Sequence, residues 1–158
     1  MKGQAHVDHI GLFVKDVAKT VECLKLLPNA EGFEPMPEFR FQKPILKVGE
    51  DHTLKGAEGS VCGLRLEVLE AVPEVSRGCY MFSRMDEYGE GLHHIDVDFT
   101  DREDFQEYLD KLLAHGGVIK HHGAGETVWE GIYSEGVYVE MPAGGLCFAL
   151  GYAAEMKK

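Results

Sequence analysis

Two segments of the chain, VDHIGLFV (7–14) and LHHIDVDF (92–99), set a histidine inside an apolar, β-branched run. Both read as strands, and neighbouring residues of a strand point to opposite faces. Of the adjacent pair His93 and His94, only one can therefore serve a given site. Overlaying the two segments puts His9 on His94, 85 residues apart, and so singles out His94. A third segment, LRLEVLEA (64–71), overlays LCFALGYA (146–153) with Glu67 on Ala149, 82 residues apart. Two offsets that differ by only three residues indicate an internally duplicated supersecondary unit. His9, Glu67 and His94 then make two imidazoles and a carboxylate. That donor set suits a borderline divalent ion such as Zn, Ni, Co, Mn or Fe, and leaves coordination positions open, as a catalytic metal requires. His93 belongs to the opposite face, in packing or a hydrogen bond.

The elements that must position these residues follow from pattern. After the first strand, Asp16 can cap a helix with apolar residues at Val17, Val21, Leu24 and Leu27, stopped by Pro28. Short strands are expected near Phe33 and through 45–48, then an alternating strand over 62–72, with Leu64, Leu66 and Val68 on one side and Arg65, Glu67 and Leu69 on the other. Residues 73–88 read as a linker with a helical turn or two. The order then restarts. The strand over 92–99 leads into TDRE, a capping-box pattern of Thr100 and Glu103. Its helix carries Phe105, Tyr108, Leu109, Leu112 and Leu113 on one face and stops at Gly116-Gly117. VIKHH, VYVEM and LCFALGY supply three more strands. The expected fold is α+β, two tandem βαβββ modules within a single domain of 1–158: 5–72, a linker at 73–88, and 89–152.

Composition bounds the partners. With 16 Lys plus Arg against 27 Asp plus Glu, the formal net charge is −11, which argues against nucleic acid and anionic membranes. No run approaches transmembrane length, and the start MKGQAHVDH has no apolar leader, so a cytoplasmic location is expected. Cys23, Cys62, Cys79 and Cys147 form no CxxC pair and read as buried, reduced thiols.

The paired openings VDHIGLFVKDV and GLHHIDVDFTD resemble the vicinal-oxygen-chelate superfamily, which includes glyoxalases, bleomycin-resistance proteins and dioxygenases. Within it, GEGLHHI followed by a capped helix ending LLAHGG is most similar to the methylmalonyl-CoA epimerases. The resemblance spans nearly the whole chain in element order and is specific at 7–16 and 89–117. It implies a curled mixed sheet around a metal cleft, a homodimer, and metal ligands at His9, Glu67 and His94. The family's fourth ligand, commonly a glutamate, falls here on Ala149. Chemistry of the epimerase or lactoylglutathione-lyase type is implied, with a small acyl thioester or α-oxo compound as substrate.

Such chemistry stabilises an enolate after removal of an α-proton, and a nearby side chain must move that proton. Glu140 in VYVEM is the candidate, with Glu130 and His122 behind it. His121 and His122 sit near a turn and read as surface or pocket-rim residues, while His6, His52 and His115 read as solvated. Arg65, Arg77 and Arg84 are the residues that could meet an anionic thioester. Two other readings stay open. Two histidines and a carboxylate also make the facial triad of Fe(II) extradiol-type dioxygenases. A non-catalytic ligand-sequestering protein would instead use an apolar cleft with Trp129, Tyr133 and Tyr138.

Overall fold

The computed structural model describes residues 4–36, 43–48, 54–72, 80–126, 131–143 and 145–155. The βαβββ order occurs twice. In the first module it is β1 (Ala5–Phe13), α1 (Val17–Leu24), β2 (Ala30–Pro35), β4 (Leu54–Val61) and β5 (Leu64–Ala71). In the second it is β6 (Gly91–Phe99), α3 (Arg102–Ala114), β7 (Val118–Glu126), β8 (Ile132–Glu140) and β9 (Cys147–Glu155). Two elements stand outside the repeat: β3 (Lys43–Val48), and α2 (Tyr80–Tyr88), within the segment expected to be a linker with a helical turn or two. By contacts the chain divides into two compact units, His9–Phe39 with Glu50–His93, and Met1–Asp8 with Arg40–Gly49 and His94–Lys158.

In the N-terminal unit the strands run in the order β2-β4-β5-β1, with β5 and β1 parallel and the other neighbours antiparallel. The alternation expected along 64–69 is met. Leu66 and Val68 turn into a core with Val14, Val21, Phe33 and Ala57, against which Ile10, Leu12, Val17 and Leu24 pack. His9, Gly11, Glu67 and Leu69 have the opposite parity and face away from that core. Asp16 caps α1, its carboxylate accepting from Lys19 N at 2.9 Å, and Glu70 accepts from Val17 N at 3.0 Å. The helix ends a turn earlier than the apolar spacing predicts: Lys25 is its C-cap and Leu27 is exposed. Cys62 and Gly63, at φ 52° and 80°, make the two-residue turn between β4 and β5.

The strand expected at 45–48 is present but is not the third strand of the first module. β3 pairs antiparallel with β7, at the far edge of the C-terminal unit, whose order is β6-β9-β8-β7-β3. The third strand is β4, whose sequence LKGAEGSV has no clear apolar alternation. Its glycines have a packing reason instead. β2 bulges between Gly32 and Glu34 and turns the Phe33 ring across β4, where a Cβ on Gly59 would run into it.

In the C-terminal unit β6 and β9 are parallel, and β9, β8 and β7 are antiparallel neighbours. One face of this sheet carries Phe99, Val137, Val139 and Leu150, which pack with Phe105 and Leu109 of α3. The capping box is not formed. Asp101 is the N-cap, accepting from Glu103 N and Asp104 N at 2.8 and 3.2 Å. Thr100 Oγ1 instead accepts from Gln4 N at 3.0 Å and donates to Gln4 O at 3.2 Å. An aspartate in extended conformation next to the helix start satisfies two donors at once, which frees the threonine for the strand. At the other end Gly116 adopts φ 88°, and His115 Nδ1 lies 2.7 Å from Lys111 O.

Candidate metal and proton-transfer residues

The two strands that carry the histidines are the first of each module, and each sends apolar side chains into a helix-covered core: Ile10 and Leu12, followed by Val14, then Val97 and Phe99. The residues between them point the other way. On β1 these are His9 and Gly11; on β6 they are His94, Asp96 and Asp98. The register of the closing strands then makes the repeat concrete. Gly11 stands opposite Glu67 in the parallel pair β1/β5, and Asp96 stands opposite Ala149 in the parallel pair β6/β9.

Within the N-terminal unit, His9 Nε2 lies 3.3 Å from Glu67 Oε2, and both side chains are 12% exposed. Neighbouring strand positions thus bring together the two expected ligands of the first module. On the same face Glu58 stands directly opposite Glu67, and Arg65 offsets that like-charge pairing by holding Glu58 at 3.5 Å. His93 is 2% exposed, its ring 5.6 Å from that of Phe13 and 5.7 Å from that of Tyr80. It is a packed residue, as its parity predicts.

Within the C-terminal unit, His94 is 1% exposed and meets Tyr138 edge-on, with ring centroids 5.1 Å apart. Tyr138 lies opposite Ala149 across β8/β9 and also has the His121 ring at 6.1 Å. His94 and Asp96 offer ligand atoms within 4.8 Å of each other. Asp96 was not among the candidate ligands, because a strand aspartate beside valine reads as ordinary polar alternation. A second His/carboxylate group joins the exposed His6 with the half-buried Asp8 and Asp98. Glu140, the proton-transfer candidate, ends β8 opposite Cys147 and forms an ion pair with Lys120 at 3.5 Å. With β9 between them, β6 and β8 are two strand spacings apart, roughly 10 Å. Glu140 therefore lies on the same sheet as His94, two residues along β8 from Tyr138, whose ring His94 meets.

The second histidine pair splits in the same way as the first. His121 faces Tyr138, whereas His122 is buried on the opposite, helix-covered side, its Nε2 2.9 Å from Glu135 Oε1. The expectation of a surface or rim role for His122 is corrected, and with it His122 as a proton shuttle. A carboxylate can only accept, so the proton lies on Nε2. Glu135 also accepts from Tyr133 Oη at 3.0 Å and from Arg102 Nε and a terminal guanidinium nitrogen at 3.3 and 3.2 Å. Burial alone would push the Glu135 carboxyl up, but the hydrogen bonds from His122 and Tyr133 and the Arg102 charge outweigh it and hold it below the usual carboxylate range. Burial and the same carboxylate push the Tyr133 phenol up. Tyr133 thus belongs to this structural network.

Other expectations are altered or lie elsewhere. Cys23 and Cys62 are exposed and Cys147 is buried, all three as free thiols, so two of the expected buried thiols are not buried. Cys23 falls on the outer side of α1, and Cys62 sits in a turn with its Sγ 3.3 Å from Pro28 O. Arg84 is buried with its guanidinium 4.8 Å from the Tyr88 ring centroid, so it does not offer a free surface cation. His52, Arg77, Cys79, Trp129 and Glu130 lie outside the described residues.

No family model matches the sequence, and no curated protein matches it. Solved structures do. A methylmalonyl-CoA epimerase from Mycobacterium tuberculosis is similar with a TM-score of 0.57 at 15% identity, covering 92% of this chain and 86% of that one. A Streptomyces coelicolor methylmalonyl-CoA epimerase variant in complex with 2-nitronate-propionyl-CoA gives 0.55 at 20% identity over 97% of both chains. A variant of 4-hydroxymandelate synthase from the same organism gives 0.58 at 13% identity, covering 98% of this chain and 50% of that one. Among the described residues no helix is long and apolar enough to cross a membrane. The element order, the repeat and these likenesses agree: the chain has an α+β glyoxalase-like fold, shared with these solved structures.

Proposed function

We propose that the chain is a divalent-metal-dependent isomerase or lyase of the epimerase type, acting on a small acyl thioester or α-oxo substrate. His9, Glu67 and His94 would hold the ion. The observation that carries this reading is the contact of His9 with Glu67 at 3.3 Å, on a face where the repeat sets His94 as the equivalent of His9. Imidazole nitrogen and carboxylate oxygen are the donors a borderline divalent ion takes, so the residues fit the group. When bound, the ion would polarise a substrate carbonyl oxygen as a Lewis acid and so acidify the adjacent carbon. The chain's own part is to fix the ligands and to move the proton. Glu140, oriented by Lys120, would take the α-proton from the substrate carbon and return it. Exchange at both faces of that carbon needs a second group. With His94 taken as a ligand and His122 committed to Glu135, His121, which also faces Tyr138, would be that group.

The test combines metal analysis with isotope exchange. Purified wild type should carry close to one equivalent of divalent metal, and Glu67→Ala should lose most of it. Incubation with a panel of acyl-CoA thioesters in deuterium oxide should place deuterium at the α-carbon, and chelator-stripped protein should not. Metal-free wild type would sink the reading, and no exchange on any thioester by metal-loaded protein would sink its thioester form. Similarity to 4-hydroxymandelate synthase keeps an Fe(II) oxygenase as the second reading, which predicts oxygen uptake with catechols in place of exchange.

A further inference from the structure

The repeat overlays Glu67, the proposed carboxylate ligand of the first module, on Ala149, where the resemblance would set a fourth ligand. The ladder register shows what stands around each. In the first module the parallel pair is Gly11 with Glu67; in the second it is Asp96 with Ala149. Gly11 and Asp96 are two residues after His9 and His94, respectively, on the same face as those histidines. In each module, then, one position of the pair is a carboxylate and the other a residue too small to reach anything. The carboxylate has changed strands. Neighbouring strands are about 4.8 Å apart, so an acid on β6 and an acid on β9 at this rung can bring oxygens to the same place.

We infer that Asp96 is the metal ligand that takes over from the absent glutamate at position 149, so that the second module keeps a histidine–carboxylate pair. This rests on the metal-dependent reading above. Two geometric facts support it. His94 and Asp96 have ligand atoms within 4.8 Å of each other, the reach of two donors to one ion. The Asp96 carboxylate also leans toward β9, where a Cβ on Gly151 would meet Asp98 Oδ1 first and would have Asp96 Oδ1 at 3.9 Å. Carboxylates of β6 thus extend over β9 on the face where Asp96 stands opposite Ala149. Ala149 is buried at 4% exposure and opposite Tyr138, which leaves the acid on β6 to supply the oxygen.

The consequence for specificity is a shorter, stiffer arm. An aspartate on the same strand as the histidine has fewer rotatable bonds than a glutamate across the ladder, so histidine and carboxylate are set by one strand. The test measures metal binding directly. Zinc dissociation constants come from competition with a chromophoric chelator, and Co(II) absorption reports coordination. The proteins are wild type, His94→Ala, Asp96→Ala, and the double variant Asp96→Ala with Ala149→Glu, each checked for folding by thermal melt. Asp96→Ala should bind zinc at least about tenfold more weakly, with a changed Co(II) spectrum, and the double variant should regain most of that loss. If Asp96→Ala binds like wild type while His94→Ala does not, this inference falls and the metal reading stands. A folded double variant that stays weak also overturns it. Wild type that binds no zinc removes both.

Discussion

Adjacent histidines occur twice in the chain, and both pairs divide along the same rule. His94 and His121 flank the ring of Tyr138, while His93 packs on Phe13 and Tyr80 and His122 binds Glu135. Alternation along a strand was enough to separate His93 from His94 in the sequence. It did not tell which face of β7 was covered, because IKHHGAG holds too few apolar residues to mark a core side, and so His122 was misplaced. Asp96 was invisible for a different reason: its meaning comes from the alanine opposite it, and ladder pairing is not written in one strand. The split makes a paired prediction. His93→Ala should lower stability by about 1–3 kcal/mol through the cavity it leaves, with metal content unchanged. His94→Ala should strip the metal and change the denaturation midpoint of the metal-free protein less. Urea melts and elemental analysis on both variants check it, and metal loss in His93→Ala would undo the assignment. Glu140→Gln, which keeps shape and removes the charge, should slow α-proton exchange by about two orders of magnitude while metal content holds.

At the scale of elements, the two helices of the repeat were legible and one of their caps was not. Asp16 and Asp101 cap them, and Thr100 is drawn to Gln4 by the strand that precedes it. Asp101→Ala should therefore cost about 1 kcal/mol, more than Glu103→Ala, which a capping box would rank the other way. Thermal melts of the two variants decide between them. β3 and β4 were confused because a glycine-rich strand such as LKGAEGSV has no apolar period, while KPILKV has one and yet pairs with β7. The network under α3 adds a pH dependence. Glu135 is held below the usual carboxylate range, so its stabilisation is complete above the unfolded value of about 4.3 and is lost as pH falls through its depressed folded value. Glu135→Gln should be less stable than wild type by about 1–3 kcal/mol at pH 7, because His122 and Tyr133 lose a charged acceptor. The gap should narrow in strong acid, and urea midpoints between pH 7 and pH 3 measure it. A gap that does not change with pH would show that the Glu135 charge contributes nothing.

For the whole molecule, the duplication was the most informative feature of the sequence, since the two offsets agreed before any pairing was known and the ladders then reproduced both. Duplication also lets each half be read against the other, which is how a missing glutamate and an added aspartate became one observation. Net charge acts at this scale too. The chain carries −11, and an acyl-CoA thioester is itself strongly anionic, so at low salt the protein's mean field repels such a substrate. Local cations would have to reverse that. Of the three arginines first considered, Arg65 is paired with Glu58 and Arg84 is buried against Tyr88. Raising ionic strength from about 0.01 M to 0.15 M shortens the screening length from roughly 30 to 8 Å and removes most of the repulsion between separated charges. For an acyl-CoA substrate, kcat/KM should therefore rise several-fold with sodium chloride over that range, through KM rather than kcat. An uncharged α-oxo substrate should show no such rise. The opposite slope with the thioester would reveal a basic approach path strong enough to outweigh the net charge, and would make CoA recognition a built feature of the protein.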